Sequence, residues 1–129
     1  MRILLDTHIW LWYLLEDPRL SKNLQVIIAD SSNEIYLSPI SIWEALLVGE
    51  RGRLILDPDP VSWVRSALKT LETREAPLNH EIAILSRQLA CPHQDPADRF
   101  IAATAIYYNL QLATVDRNLI NTLSLNTIS

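Results

Sequence analysis

Four carboxylates fall where a folded chain can bring chemistry together: Asp6, Glu44, Asp98 and Asp116. Asp6 closes the apolar run Ile3-Leu4-Leu5, and Asp116 closes Leu112-Ala113-Thr114-Val115. Glu44 and Asp98 interrupt the apolar stripes of two predicted helices. A buried carboxylate is unfavourable unless something neutralises it, and several brought together repel one another. Such a cluster therefore reads as a site of hard oxygen ligands for a divalent metal ion.

Each acid also has a purely local reading. Asp6 fits a turn or cap after a strand, and Asp116 is a preferred helix N-cap. Ser41-Ile42-Trp43-Glu44 matches a capping box, which would make Glu44 structural. However, Ser38-Pro39 is the better helix start, and Glu44 then lies in the second turn beside Ile40, Leu47 and Val48. Asp98 is the third helical position after Asp95, yet it shares a stripe with Ile101, Ala102 and Ala105, where the small alanines let the helix approach a sheet. Asp95 reads as the cap or as a supporting group.

The elements that must position these acids alternate. Arg2 to Asp6 is a predicted buried strand, and Thr7 is the expected N-cap of a helix to about Glu16. Ser21 to Ala29 is a helix and Glu34 to Leu37 a second strand. The helix from Ser38-Pro39 is expected to stop at Gly49. Asp57-Pro58-Asp59-Pro60 opens another helix, and Ala76-Pro77-Leu78 is a weak strand candidate. Asn79 caps a helix to about Ala90. Asp95-Pro96 starts one reaching Tyr108, with Asn109 as its stop. Gln111 to Val115 is a strand, Asp116 caps a short helix, and Leu125 to Ile128 is a last edge strand. Strand–helix alternation predicts an α/β protein with a mostly parallel sheet. In such sheets sites form at the carboxyl ends of the strands, where Asp6 and Asp116 stand.

The 129 residues suit one domain, expected to span 1–129. The net charge of −4 argues against a general phosphate binder, and less against a metal-dependent nuclease, whose bound cations change the local field. The single cysteine, Cys91, forms no internal disulfide and suits a reducing cytoplasm. The apolar stretch Ile9 to Leu15 is too short to span a bilayer and lacks signal-peptide flanks. No Gly-rich Lys loop or Gly-x-Ser-x-Gly motif supports a P-loop nucleotidase or an acyl hydrolase, and Asp6-Thr7-His8 offers no second Asp for a phosphatase's Asp-x-Asp nucleophile motif.

Together these residues resemble a known family. Ile3-Leu4-Leu5-Asp6-Thr7-His8 with Trp12 is similar to the opening motif of PIN-domain ribonucleases, specifically VapC-type toxins of bacterial toxin–antitoxin pairs. Ser38-Pro39-Ile40-Ser41-Ile42-Trp43-Glu44 resembles the second motif. His93-Gln94-Asp95-Pro96-Ala97-Asp98-Arg99 with Ile101-Ala102-Ala103-Thr104-Ala105 resembles the third, and Ala113-Thr114-Val115-Asp116 the fourth. Ala97 and Val115 depart from the pattern, the latter where Arg is frequent.

The resemblance implies a three-layer α/β/α fold with a mostly parallel central sheet and an acidic pocket for Mg²⁺ or Mn²⁺. It implies an endoribonuclease acting on RNA such as tRNA or rRNA, a homodimer, and an antitoxin protein that occupies the active-site groove. Asp6, Asp98 and Asp116 are then metal ligands, and Glu44 ligates or orients water. Thr7, Asp95, Arg99 and Thr114 are supporting candidates. Thr7 is a donor to Asp6 or the N-cap, and Arg99 a phosphate contact, a partner of Asp95 or a surface charge. Arg51, Arg53 and Arg117 could form a basic rim or be ordinary surface charge. His8 and His93 lack a zinc ligand set. Trp10, Trp12, Tyr13 and Trp43 read as core with some interface exposure. The alternative is a catalytically silent PIN-like scaffold that binds RNA or protein.

Overall fold

The sheet is parallel throughout, so every strand carries its following segment to the same edge. The computed structural model describes residues 1–92 and 94–129. Its elements are β1 (Arg2–Leu5), α1 (Thr7–Leu14), α2 (Lys22–Ala29), β2 (Glu34–Leu37), α3 (Pro39–Glu50), α4 (Pro60–Thr70), β3 (Arg74–Glu75), α5 (His80–Gln88), α6 (Pro96–Tyr107), β4 (Gln111–Ala113), α7 (Arg117–Ile120) and β5 (Thr127–Ile128). The strand order is β3-β2-β1-β4-β5. Leu4 pairs with Tyr36 on one side and Leu112 on the other. The chain builds outward from β1 through β2 to β3, then returns to β4 on β1's other side. The switch point is therefore between β1 and β4, where ligand crevices open in such sheets.

Alternation along the strands divides the interior into two cores. Ile3 and Leu5 face Ile9, Trp10, Leu24 and Val64. Leu4 and Leu112 face Ile101, Ala102, Ala105 and Leu119. Both faces are covered by helices, which gives three layers and explains why β1 is apolar without interruption. The small residues of α6 are fully buried, so this helix lies close to the sheet.

Start signals match their elements at Ser38-Pro39, Asp59-Pro60, Asn79 and Asp95-Pro96, where each cap side chain accepts a backbone N–H. Other boundaries shift. Asp6, rather than Thr7, caps α1, accepting the Thr7 N–H at 2.8 Å. The helix α3 passes through Gly49 and ends at Glu50, and the turn falls instead at Gly52 with φ 69°. Gly49 serves packing, because an added Cβ would lie 2.9 Å from Pro60 Cγ of α4. The third strand is Arg74–Glu75 rather than Ala76-Pro77-Leu78. Ala76 adds one bond to Leu37 O, and Pro77 has no N–H to continue the ladder. Asn109 stops α6 in the left-handed region at φ 55°.

Candidate active site

Because the sheet is parallel, α1, α3 and α7 begin directly after β1, β2 and β4, with their N-termini at one edge. Their exposed N–H groups make that edge hospitable to negative charge. Asp6 stands at its centre, 5 % exposed. Its Oδ1 accepts the Thr7 N–H, and its Oδ2 accepts the Thr114 hydroxyl at 2.8 Å. Thr114 Oγ1 in turn accepts the Asp116 N–H at 3.0 Å. Thr114 thus ties the ends of β1 and β4 together across the switch point. Asp116 is the N-cap of α7, as expected, accepting the Asn118 N–H at 2.8 Å, and its charge also acts on Asp6.

Glu44 reaches the same edge from α3. Ser38 is the N-cap, with its hydroxyl 3.1 Å from the Ile40 N–H. Glu44 therefore lies beyond the first turn and caps nothing. The Thr7 hydroxyl is hydrogen-bonded to Glu44 Oε1 and lies 2.9 Å from Ser41 Oγ. A hydroxyl carries one proton. Given to the carboxylate, it leaves the Ser41 hydroxyl to donate to Thr7. Thr7 is thus a donor to Asp6 through its backbone N–H, while its hydroxyl supports Glu44 and the hydroxyl that supports Asp6 is that of Thr114. Ser41 has only a capping-box role in the sequence, and its place behind Thr7 becomes visible only when α1 packs on α3.

Burial pushes the Asp6 carboxyl above its ordinary range, against the Thr114 hydrogen bond, the charge of His8 and the Thr7 N–H; the Asp116 charge pushes it further up. Burial likewise raises Glu44 despite its bond to Thr7, and the charges of Asp6 and Asp95 add to the effect. Neither Asp6 nor Glu44 has a Lys or Arg ion-pair partner among the described residues. Three acids are thus coupled at the strand ends, and Asp95 joins through Glu44. Asp95 caps α6, accepting the Ala97 N–H at 2.9 Å. Asp98 lies half-buried in the first turn of α6, the helix that packs against α3. Among the described residues no three His, Cys, Asp or Glu side chains close directly around one ion. The donors are nevertheless all hard oxygens around a buried carboxylate with no Lys or Arg partner among the described residues, which is the chemistry a Mg²⁺ or Mn²⁺ ion with its own waters satisfies.

Arg99 is buried and is not the surface charge that was one of its expected roles. It is 6 % exposed, and it donates to Ser86 O at 2.8 Å, Leu89 O at 3.0 Å and Cys91 O at 3.1 Å. It fastens the carbonyl end of α5 to the helix that carries Asp98. The aromatic residues divide: Trp10 is fully buried, Trp12 and Tyr13 are half-buried, and Trp43 is 55 % exposed on the rim of a 210 Å³ cleft that also borders Glu44 and Asp95. His8 is exposed and leans on Trp12. His93 lies outside the described residues.

Comparison with known proteins agrees with this arrangement. Residues 3–122 match the PIN domain family. Ribonuclease VapC22 of Mycobacterium tuberculosis is 31 % identical over 120 residues, covering 91 % of this chain and 88 % of its own. The fold is similar to that in the VapBC2 structure from Rickettsia felis bound to a promoter DNA fragment, with TM-score 0.70, 19 % identity and coverage of 99 % and 98 %. It is similar to FitAcB from Neisseria gonorrhoeae at TM-score 0.68, with 23 % identity and coverage of 98 % and 96 %. VapBC-5 of Mycobacterium tuberculosis, from the VapBC family of toxin–antitoxin systems, gives TM-score 0.64 at 17 % identity, covering 98 % and 97 %.

Proposed function

Because this chain belongs to the PIN-domain family and is a relative of a VapC ribonuclease, we propose that it is the ribonuclease toxin of a toxin–antitoxin pair, cutting RNA with Mg²⁺ or Mn²⁺. The observation that carries this reading is Asp6, buried at the switch point with no Lys or Arg ion-pair partner among the described residues and coupled to Asp116 and Glu44. Asp6, Asp98 and Asp116 would hold the metal ion, with Glu44 as a further ligand or as the group that orients water. A bound divalent ion there supplies Lewis acidity toward a phosphodiester oxygen and makes water more acidic.

The chain's own residues do the rest. Thr114 and the Thr7 N–H fix the two oxygens of Asp6, so its lone pairs point to a set place. The Ser41–Thr7 pair fixes one oxygen of Glu44 and leaves Oε2 to accept a proton from the attacking water. A raised Glu44 suits a general base better than an ordinary glutamate does, because its conjugate acid is weaker. In this reading the protein is a single PIN domain, cytoplasmic, homodimeric, and silenced by an antitoxin protein that covers the cleft. The VapBC complexes of similar fold support the partner. No helix among the described residues is long and apolar enough to cross a membrane.

Purified protein freed of its partner, incubated with total cellular RNA, tests the reading. Discrete fragments that require Mg²⁺ or Mn²⁺, vanish with EDTA and vanish in Asp98→Asn are expected. Fragments that persist in EDTA or in Asp98→Asn would overturn it, and metal binding without any cleavage would favour the silent scaffold.

A further inference from the structure

A second depression adjoins the cleft beside Glu44 and Asp95. It has a volume of 270 Å³ and lies between α1 and the α3–α4 connection, with His8, Trp12, Arg19 and Arg53 on its walls and Leu11 and Leu54 among its apolar lining. Arg53 and Val48 border both this cavity and the cleft beside Glu44, so the two share a wall. His8 directly follows Thr7, whose hydroxyl holds Glu44. The guanidinium of Arg19 lies over the Trp12 ring at 4.8 Å and is held by Asp17 through contacts of 3.1 and 2.8 Å. His8 meets the same ring at 6.1 Å and 56°. The Arg19 guanidinium is thus a planar wall held in orientation by Asp17 and Trp12. Neither Arg51 nor Arg53 makes an ion pair among the described residues, although the chain as a whole is acidic.

We propose that this cavity receives one unstacked nucleobase of a single-stranded RNA segment, while Arg53 holds the adjoining phosphate and the strand continues into the cleft at Glu44. Planar cationic and aromatic walls are what a base stacks against. A volume just under the roughly 300 Å³ at which small-molecule pockets begin suits one heteroaromatic ring and little more. Asp17 adds an acceptor at the cavity edge for an exocyclic amino group. Uncompensated arginines beside an acidic centre match a polyanionic backbone. A base paired within an A-form helix cannot enter, so the cavity selects unpaired RNA. This inference deepens the nuclease reading and rests on it for the identity of the polymer.

The test uses Asp98→Asn protein with Mg²⁺ and a labelled short oligoribonucleotide, read by fluorescence anisotropy. The single strand is compared with the same sequence in duplex and with copies carrying one abasic nucleotide at successive positions. A preference for the single strand is expected, with about tenfold weaker binding at one abasic position, within the range of a single base stack. Arg53→Ala is expected to weaken binding and to lower the slope of log Kd against log salt by about 0.7, one phosphate on a single strand. His8→Ala should weaken the intact strand and leave the abasic copy unaffected. Trp12→Leu keeps an apolar side chain at this half-buried position and should act as His8→Ala does. Equal binding of duplex and single strand, or no effect of Arg53→Ala and His8→Ala, would overturn the proposal. So would variants that bind RNA normally and lose a partner protein instead, since the cavity would then be a protein-docking site. Cleavage by wild-type protein separates the two readings. Variants with the wild-type KM on RNA would sink the base site and leave the nuclease, whereas the binding pattern above without any cleavage would do the reverse.

Discussion

Replacing Arg99 should destabilise the protein more than replacing any arginine on its surface. Three carbonyls converge on this side chain: Ser86 O in the last turn of α5, Leu89 O at its C-cap, and Cys91 O beyond. Helix ends leave such carbonyls without intrahelical partners, and a cation there also opposes the helix dipole. In Arg99→Met the apolar volume is largely kept and every donor is lost. A hydrogen bond to a charged group contributes about 1.5–3 kcal/mol. The three are not additive, and water can reach part of the freed segment, so the expected loss is roughly 3–5 kcal/mol. At about 3 °C per kcal/mol for a chain of this size, Tm should fall by roughly 10–15 °C. Arg99→Lys keeps the charge and cannot span three acceptors, so it should fall in between. Urea unfolding of metal-free protein gives the free energies directly. A Tm within about 2 °C of wild type for Arg99→Met would refute the assignment. So would normal stability combined with weakened RNA binding, which would restore the phosphate role read from the sequence.

Gly49→Ala sets a gain in helix propensity of about 1 kcal/mol against overpacking on the rigid Pro60 ring, which runs to about 1–3 kcal/mol; urea unfolding should show a net loss. Thr7→Val removes the donor to Glu44, so the Glu44 carboxyl should rise further and the acid limb of the pH–rate profile for RNA cleavage should move to higher pH. Asp6→Asn isolates the effect of the raised Asp6 carboxyl. Its folded pKa lies above the ordinary 3.8, so the native state holds more protons than the unfolded state in the window between the two values. The stability this contributes is full below the ordinary value and is lost as pH rises through the raised one. Metal-free Asp6→Asn should therefore gain on wild type as pH rises through that window, and match it most closely at the acid end. Paired thermal melts across pH check the sign.

Much of this arrangement is written locally. Ser38-Pro39 and Asp95-Pro96 mark helix starts because each cap's chemistry lies within a few residues of itself. The uniform apolar character of Ile3-Leu4-Leu5 already implies a strand covered on both faces, and the strand–helix alternation implies a parallel sheet. What escapes local reading depends on partners distant in the chain. Arg99 looks like surface charge until the end of α5 turns its carbonyls toward it. Thr7 precedes Ser41 by 34 positions and Thr114 follows Asp6 by 108, so which threonine serves which acid is decided by helix packing and strand order. The sequence leaves the cap of α1 open between Asp6 and Thr7 for a different reason: only Asp6 separates the strand that ends at Leu5 from the helix that begins at Thr7. Gly49 looks like a helix stop by its residue type and is in fact a contact point for α4.

The central claim is that Asp6 anchors a divalent-metal site. Calorimetric titration of Mn²⁺ into metal-free, partner-free protein at neutral pH, with Asp6→Asn in parallel, tests it most directly. Saturable binding that disappears in Asp6→Asn while the variant stays folded is the predicted result. Equal Mn²⁺ affinity in the two proteins, or no binding by the wild type, would contradict it.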